Sequence, residues 1–250
     1  MSDHPQPSFK KVEGLDGLAA REAIGHFFSP TTTKRVRVVD SMGSDLSVVN
    51  AARVSFNKKK DILDIKDTKL IEYLLRHEHT SPFRHGFITF HVCAPIFVLR
   101  QWGKHQVGCS WNEVSMRYVK HSFGFWSPKS WRSVPEGSVK QGSGGPIEDQ
   151  SAAGMIYNQA VTQCEEAYNA LLDVGVCREQ ARAILPQSML TEFWWTASLQ
   201  AVLRFLDLRL AKDSQSEIRA YAEEVEGHVK KIFPETLKAW RAVQDGKDRE

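Results

Sequence analysis

Apolar residues recur every three or four positions along several stretches and alternate with polar ones along others. The chain therefore reads as a mixture of helices and strands. Arg35 to Asp40 alternates basic and apolar residues, as a strand does. Gly43-Ser44-Asp45 caps a helix from about Leu46 to Ser55, with Leu46, Val49, Ala52 and Phe56 on one stripe. A charged loop, Lys58 to Asp64, leads to a helix over Thr68–His77, capped by Asp67, with Leu70, Ile71, Leu74 and Leu75 inward. Gly86 to Cys93 alternates and predicts a strand. Pro95 opens a helix running to about Lys104, Val107 to Trp111 reads as loop, and Val114 to Val119 as extended chain.

The later half is more helical. Ile156, Ala160, Gln163, Ala167, Ala170 and Leu171 predict a helix over Ile147–Val174, stopped at Gly175. A second helix, Cys177 to Leu185, ends at Pro186. Met189 to Thr196, with Phe193, Trp194 and Trp195, reads as a buried strand, and Ser198 to Arg209 as a helix. Ser214 and Glu217 have capping-box spacing ahead of a helix over Gln215–Ile232, and Pro234 opens a last one to about Val243. The expected fold is α+β: a single domain over 31–250 with a central mixed or antiparallel sheet flanked by helices. Residues 1–30 read as an N-terminal extension containing a short helix, Ala19 to Phe28. About 123–146 reads as an exposed, irregular excursion, most mobile over Lys140–Pro146.

Composition narrows the function classes. The 250 residues are 42% hydrophobic and 25% charged, ordinary for a globular chain. A net charge of +3 gives no footprint for nucleic acid. Apolar runs stop short of a membrane span, and Met1 to Lys10 lacks the apolar core of a secretory signal. Cys93, Cys109, Cys164 and Cys177 are widely spaced, the pattern of reduced thiols in a cytoplasmic protein. His77, His79 and His85 crowd around Ser81-Pro82, where a turn is a better reading than a metal site, so no metal is expected. Lys140 to Pro146 is glycine-rich but does not join a strand to a helix, so it reads as a linker rather than a phosphate loop.

The candidate chemistry sits in residues 95–120. The apolar run Ile96–Leu99 leads straight into Arg100, Gln101, Lys104, His105 and Gln106, followed by Asn112, Glu113, Ser115, Arg117 and Tyr118. Polar groups leaving a buried segment need partners, and a ligand can supply them. Lys104, Arg117 and Arg100 suit a phosphate or carbonyl oxygen. Asn112, Gln101 and Gln106 suit the edges of an amide-like ring, and Glu113 can accept from a ring N–H. That set fits a nucleotide better than a metal or an acyl group.

These residues resemble the signature of the flavin-dependent thymidylate synthases, R-Q-W-x-R-H-R, seven residues, then Ser, overlapped by N-E-x-S-x-R-Y. R-Q-W-G and N-E-V-S-M-R-Y match it. The central triplet is Lys104-His105-Gln106, and eight residues separate Gln106 from Ser115. H-x-[S/T]-P-F-E-H is matched by His79, Ser81, Pro82, Phe83 and His85, with Arg84 where the family has Glu. Ala51–Phe56, Gly175–Pro186, T-E-F-W-W-T, F-L-D-L-R and Gln215–Ile218 extend the resemblance over roughly residues 35–225.

The resemblance implies the family's fold and reductive methylation of deoxyuridine monophosphate (dUMP) to dTMP. It implies FAD and NADPH as hydride source and methylenetetrahydrofolate as carbon donor. It assigns Gln101, Glu113, Ser115, Arg117, Arg182 and Arg209 to dUMP. It assigns Ser81, Lys104, His105, Gln106, Asn112, Glu113, Ser198, Gln200 and Arg204 to FAD, with Asp213 where a flavin-contacting His stands in the family. Arg182 would stabilise charge on the uracil, Ser115 would orient the nucleotide and His79 would lie toward the folate. A homotetramer with shared sites is implied as well. A pyrimidine hydroxymethylase and a non-catalytic nucleotide-binding homologue are the alternatives. Cys109 reads as a small apolar filler rather than a nucleophile.

Overall fold

Two nine-residue strands form the centre of the sheet. In the computed structural model, β1 (Val36–Met42) pairs with β2 (Phe87–Pro95), β2 with β4 (Leu190–Ser198), and β4 with β3 (Cys109–Glu113). All three pairings are antiparallel, in the order β1-β2-β4-β3. The structure describes residues 35–120, 124–137 and 142–247. The expected extension over 1–30 and its helix lie outside the described residues.

Eight α-helices accompany the sheet among the described residues: α1 (Asp45–Arg53), α2 (Ile65–Arg76), α3 (Ile96–Trp102), α4 (Gln150–Asp173), α5 (Arg178–Ala181), α6 (Leu199–Arg209), α7 (Ser216–Ile232) and α8 (Pro234–Lys247). Alternate residues of the central strands, Ile88, Phe90, Val92, Ala94, Phe193, Trp195 and Ala197, are buried in one core with the apolar faces of α6 and α7. Trp102 ends α3 inside that core. Its ring stacks on Phe205 at 4.5 Å and meets Phe193, Trp195 and Tyr221 edge-on. This anchor positions the turn that carries the candidate chemistry.

Several boundaries move from the sequence reading. The cap of α2 is Asp64, not Asp67: Asp64 Oδ1 accepts from the backbone of Lys66 at 2.8 Å and Asp67 at 3.2 Å. Asp67 closes the capping box from the third helical position and is fully buried. It pairs with Arg53 at 2.6 Å and with Lys60. Burial opposes its charge, but Lys60, the Asp64 backbone and Arg53 outweigh burial and hold its pKa down to about 2. Ser214 does not cap α7; Gln215 stands at that position and makes no side-chain capping bond. Cys109–Glu113 is a strand rather than a loop, because β4 offers it an open edge, and Ser115–Val119 is a turn.

The described residues of the excursion, 124–137 and 142–146, contact the rest of the fold. Trp126 meets Phe97 edge-on at 5.0 Å, and Trp131 meets Tyr157 at 5.2 Å. Gly144 and Gly145 exchange backbone hydrogen bonds with Ser133 at 2.9 and 2.8 Å, and Arg132 bridges to Pro146. The long helix α4 also differs from its pattern: only Tyr168 is buried, while Ile156 is 70% exposed and Met155 65%.

Candidate active site

The polar set is placed by α3 and the turn after it. Trp102 faces the core, which leaves Gln101 half-buried and Arg100 exposed. His105 N–H donates to Trp102 O at 3.0 Å, and Gly108, at φ +76°, turns the chain into β3. A Cβ at Gly108 would lie 2.9 Å from Ser198 Oγ, so the turn packs against the start of α6.

The six residues assigned to dUMP do not share one cleft. Glu113, Ser115, Arg117 and Arg182 line a cleft of about 510 Å3 with Ile96, Pro186 and Met189. Gln101 and Arg209 line a second, of about 860 Å3, with Arg132, Lys212, Asp213 and Arg219. Gln200 and Arg204 line a third, of about 380 Å3, beside Glu78 and Trp240.

In the first cleft, Thr191 Oγ1 donates to Glu113 Oε1 at 2.9 Å. Burial raises the Glu113 pKa, while the Thr191 hydrogen bond and the Arg182 charge pull it back. Ser115 Oγ accepts from both the backbone and Nε of Arg117 at 3.3 Å. Arg182 is exposed, and among the described residues its side chain hydrogen-bonds the Glu179 carbonyl at 3.4 Å, so most of its guanidinium is available to an anion. Arg178 holds the turn from behind, donating to Tyr118 O at 3.0 Å.

In the second cleft, Arg209 donates Nε–H to His105 Nε2 at 3.0 Å and Nη2–H to the Gln101 carbonyl at 3.1 Å. Burial first, then the charges of Arg209 and Arg204, lower the His105 pKa to about 4. His105 also packs edge-on against Phe205 at 5.1 Å. Its imidazole is therefore a neutral acceptor with a fixed tautomer. Gln101 Nε2–H donates to Gln215 Oε1.

The residues assigned to FAD are spread in the same way. Lys104, Gln106 and Asn112 are exposed around the turn and β3, and Ser81 is exposed in the turn after α2. Ser198 is buried, and its hydroxyl caps α6 by accepting from Ala201 N–H at 3.3 Å, which leaves its O–H as a donor. Gln200 lies two positions further on, in the first turn of α6, and Arg204 is exposed on the same helix. Neither Lys104 nor Arg204 forms an ion pair among the described residues, so each cation can meet an anionic ligand.

His79 is exposed. Its ring lies 5.9 Å from Tyr73, in a group with His77. Among the described residues no group of three metal-capable side chains converges, and no helix is long and apolar enough to cross a membrane. Cys109 is half-buried, and its thiol donates to His105 O at 2.9 Å, which fits the filler reading. Two contributors escaped the sequence reading. Thr191, in T-E-F-W-W-T, fixes Glu113, and Arg132 reaches the second cleft from the excursion.

Comparison with known proteins places this geometry. Residues 37–235 match the family described as Thy1, Thymidylate synthase complementing protein. A flavin-dependent thymidylate synthase of Thermus thermophilus is 42% identical over 210 residues, 84% of this chain and 75% of that one. One of Thermotoga neapolitana is 41% identical over 211 residues, 82% and 89% respectively. Among solved structures, a UMP/dUMP methylase PolB from Streptomyces cacaoi bound with 5-Br dUMP superposes with a TM-score of 0.76 at 35% identity, covering 83% of this chain and 94% of that one. The same methylase bound with 5-Br UMP gives 0.75 at 34% identity. With the collinear motifs, the antiparallel sheet and the arginine-lined clefts, these matches establish that the chain belongs to the flavin-dependent thymidylate synthase family.

Proposed function

We propose that this protein methylates dUMP reductively to dTMP, with methylenetetrahydrofolate as carbon donor. The observation that carries the reading is the first cleft. Glu113, Ser115 and Arg117 come from β3 and the turn after it, Arg182 comes from the far side of the excursion, and all four line one space. Arg117 and Arg182 match a phosphate and a polarised uracil carbonyl, and Ser115 orients the nucleotide. Arg182, whose guanidinium the protein leaves nearly unengaged, stabilises the negative charge that develops on the ring.

FAD, reduced by NADPH, supplies the hydride when bound. Lys104, His105, Gln106, Asn112, Gln200 and Arg204 are the residues of this chain that would hold it, and Glu113 lies at the junction with the nucleotide. His105, kept neutral by burial and by Arg209, offers the ligand an N–H at Nδ1 rather than a cation. The chain's own contribution is then positioning and electrostatics. His79, exposed beside Tyr73, is assigned to the folate side.

The split of Gln101 and Arg209 from Glu113, Ser115, Arg117 and Arg182 supports sites assembled between subunits of a homotetramer. The exposed face of α4, with Met155 and Ile156, supports association too, because a helix this long is ordinarily held by packing of its apolar face. Four free cysteines accord with a cytoplasmic protein.

The test is mass spectrometry of dUMP incubated with the protein, FAD, NADPH and methylenetetrahydrofolate. A product heavier by one methylene establishes the synthase. A hydroxymethyl product overturns it in favour of the hydroxymethylase, and unchanged but bound nucleotide in favour of a binding homologue. UMP belongs in the same assay, since the solved relative is a UMP/dUMP methylase.

A further inference from the structure

The motif Gln215–Ile218 has no role in the site described so far, yet its side chains form a directed relay to Gln101. Glu217 Oε1 accepts from Arg132 Nη2 at 2.7 Å, and Glu217 Oε2 accepts from Gln215 Nε2 at 2.9 Å and from Ser216 Oγ at 3.3 Å. Gln215 Oε1 in turn accepts from Gln101 Nε2. Arg132 is itself steadied by Ser143, to whose Oγ its Nε donates at 2.6 Å.

The direction of the relay is forced at one end. Burial opposes the Glu217 charge, but the Arg132 and Gln215 hydrogen bonds outweigh it and lower its pKa. An ionised carboxylate only accepts. Gln215 must therefore turn its amide N–H2 toward Glu217 and its carbonyl toward Gln101. Gln101 must then point its N–H2 group at Gln215, which turns its Oε1 the other way and presents it as an acceptor. Without the carboxylate, either amide could turn over at little cost, since the O and N ends have the same shape.

We propose that Glu217, acting through Gln215, is a positioning residue that locks the Gln101 carboxamide so that it meets the nucleotide as a hydrogen-bond acceptor. This rests on the assignment of Gln101 to the nucleotide site. The recognised group is a donor on the ligand, either a sugar hydroxyl or the imide N–H of uracil. A nucleotide presenting an acceptor at that point is disfavoured, because two acceptors then face each other with no proton between them. Arg132, which lines the same cleft as Gln101, gives the excursion a part in selectivity through its hold on Glu217.

The experiment is calorimetric binding of three ligands to the FAD-loaded protein: dUMP, 2′,3′-dideoxyuridine monophosphate, which lacks the sugar hydroxyl, and N3-methyl-dUMP, which lacks the imide N–H. Glu217→Gln weakens dUMP about tenfold, the scale of one lost hydrogen bond. It leaves unchanged the affinity for whichever analogue lacks the donor that Gln101 reads, and so identifies that donor. Glu217→Asp keeps the carboxylate and recovers most of the dUMP affinity. Gln215→Leu, at an exposed position that folding tolerates, reproduces the Glu217→Gln pattern. Equal weakening of all three ligands, or an unchanged dUMP affinity in both variants, overturns the relay. Failure of the unaltered protein to bind dUMP overturns the nucleotide assignment itself, and the relay with it.

Discussion

Arg209 donates its Nε–H to His105 Nε2 at 3.0 Å, and burial, reinforced by this cation, holds the imidazole neutral beside the candidate site. With a folded pKa of about 4 against 6.5, the folded state binds fewer protons than the unfolded one across that window. Stability then rises with pH from about 4 to 6.5 and is lost as pH falls through it. NMR titration of His105 is expected to show no protonation above pH 5. Arg209→Leu moves the midpoint upward.

Asp67 governs a separate and more acidic window. Its pKa, held to about 2 from 3.8, gives stability that is complete above 3.8 and lost toward 2. Asp67→Asn costs about 3 kcal/mol at neutral pH, because Arg53 and Lys60 lose the buried carboxylate they share. Urea denaturation at pH 7 and pH 3 checks this; the gap between the two proteins narrows at the lower pH.

Arg182→Ala should lower turnover about 10²- to 10³-fold, the usual effect of removing one preorganised charge donor. Folding should be unaffected, since the side chain is exposed and, among the described residues, hydrogen-bonds the Glu179 carbonyl. Steady-state kinetics together with a melting curve separates the two effects. Equal turnover by variant and parent would remove Arg182 from catalysis.

Shared sites can be tested by complementation. Arg182→Ala and Arg209→Ala alter different clefts. If each site draws one cleft from each of two subunits, co-refolding the two inactive variants regenerates some intact sites, and activity returns. Sites contained within one chain give no recovery.

Trp102 is 1% exposed and ringed by four aromatic side chains, and its indole N–H has no partner among the described residues. Trp102→Ala should cost about 3–5 kcal/mol from the cavity it leaves. Trp102→Phe should cost less than half of that, since removing an unsatisfied donor offsets part of the lost packing. Chemical denaturation measures both.

The sequence determined most of the local structure. Alternation in Gly86–Cys93 and the apolar, aromatic run in Met189–Thr196 specified the two central strands, and the stripe at Leu199–Leu210 specified the helix that follows them. Those patterns are local, and burial of one face satisfies them. It also carried the family, because several short motifs recur in order.

What it did not decide depends on partners distant in the chain. Cys109–Glu113 has no strong period of its own and becomes a strand because β4 leaves an edge open to it. Glu217 has the spacing of a cap, but Arg132, 85 positions earlier, draws it into an ion pair with the excursion. Ser198 carries a hydroxyl that the fold also engages as the cap of α6, through Ala201. Ile156 lies on a helical stripe yet is 70% exposed among the described residues, so periodicity predicted burial that these residues do not supply. The allocation of Gln101 and Arg209 to one cleft, and of Glu113, Ser115, Arg117 and Arg182 to another, came only from packing, because side-chain direction and long-range contact are set by the tertiary structure and not by spacing along the chain.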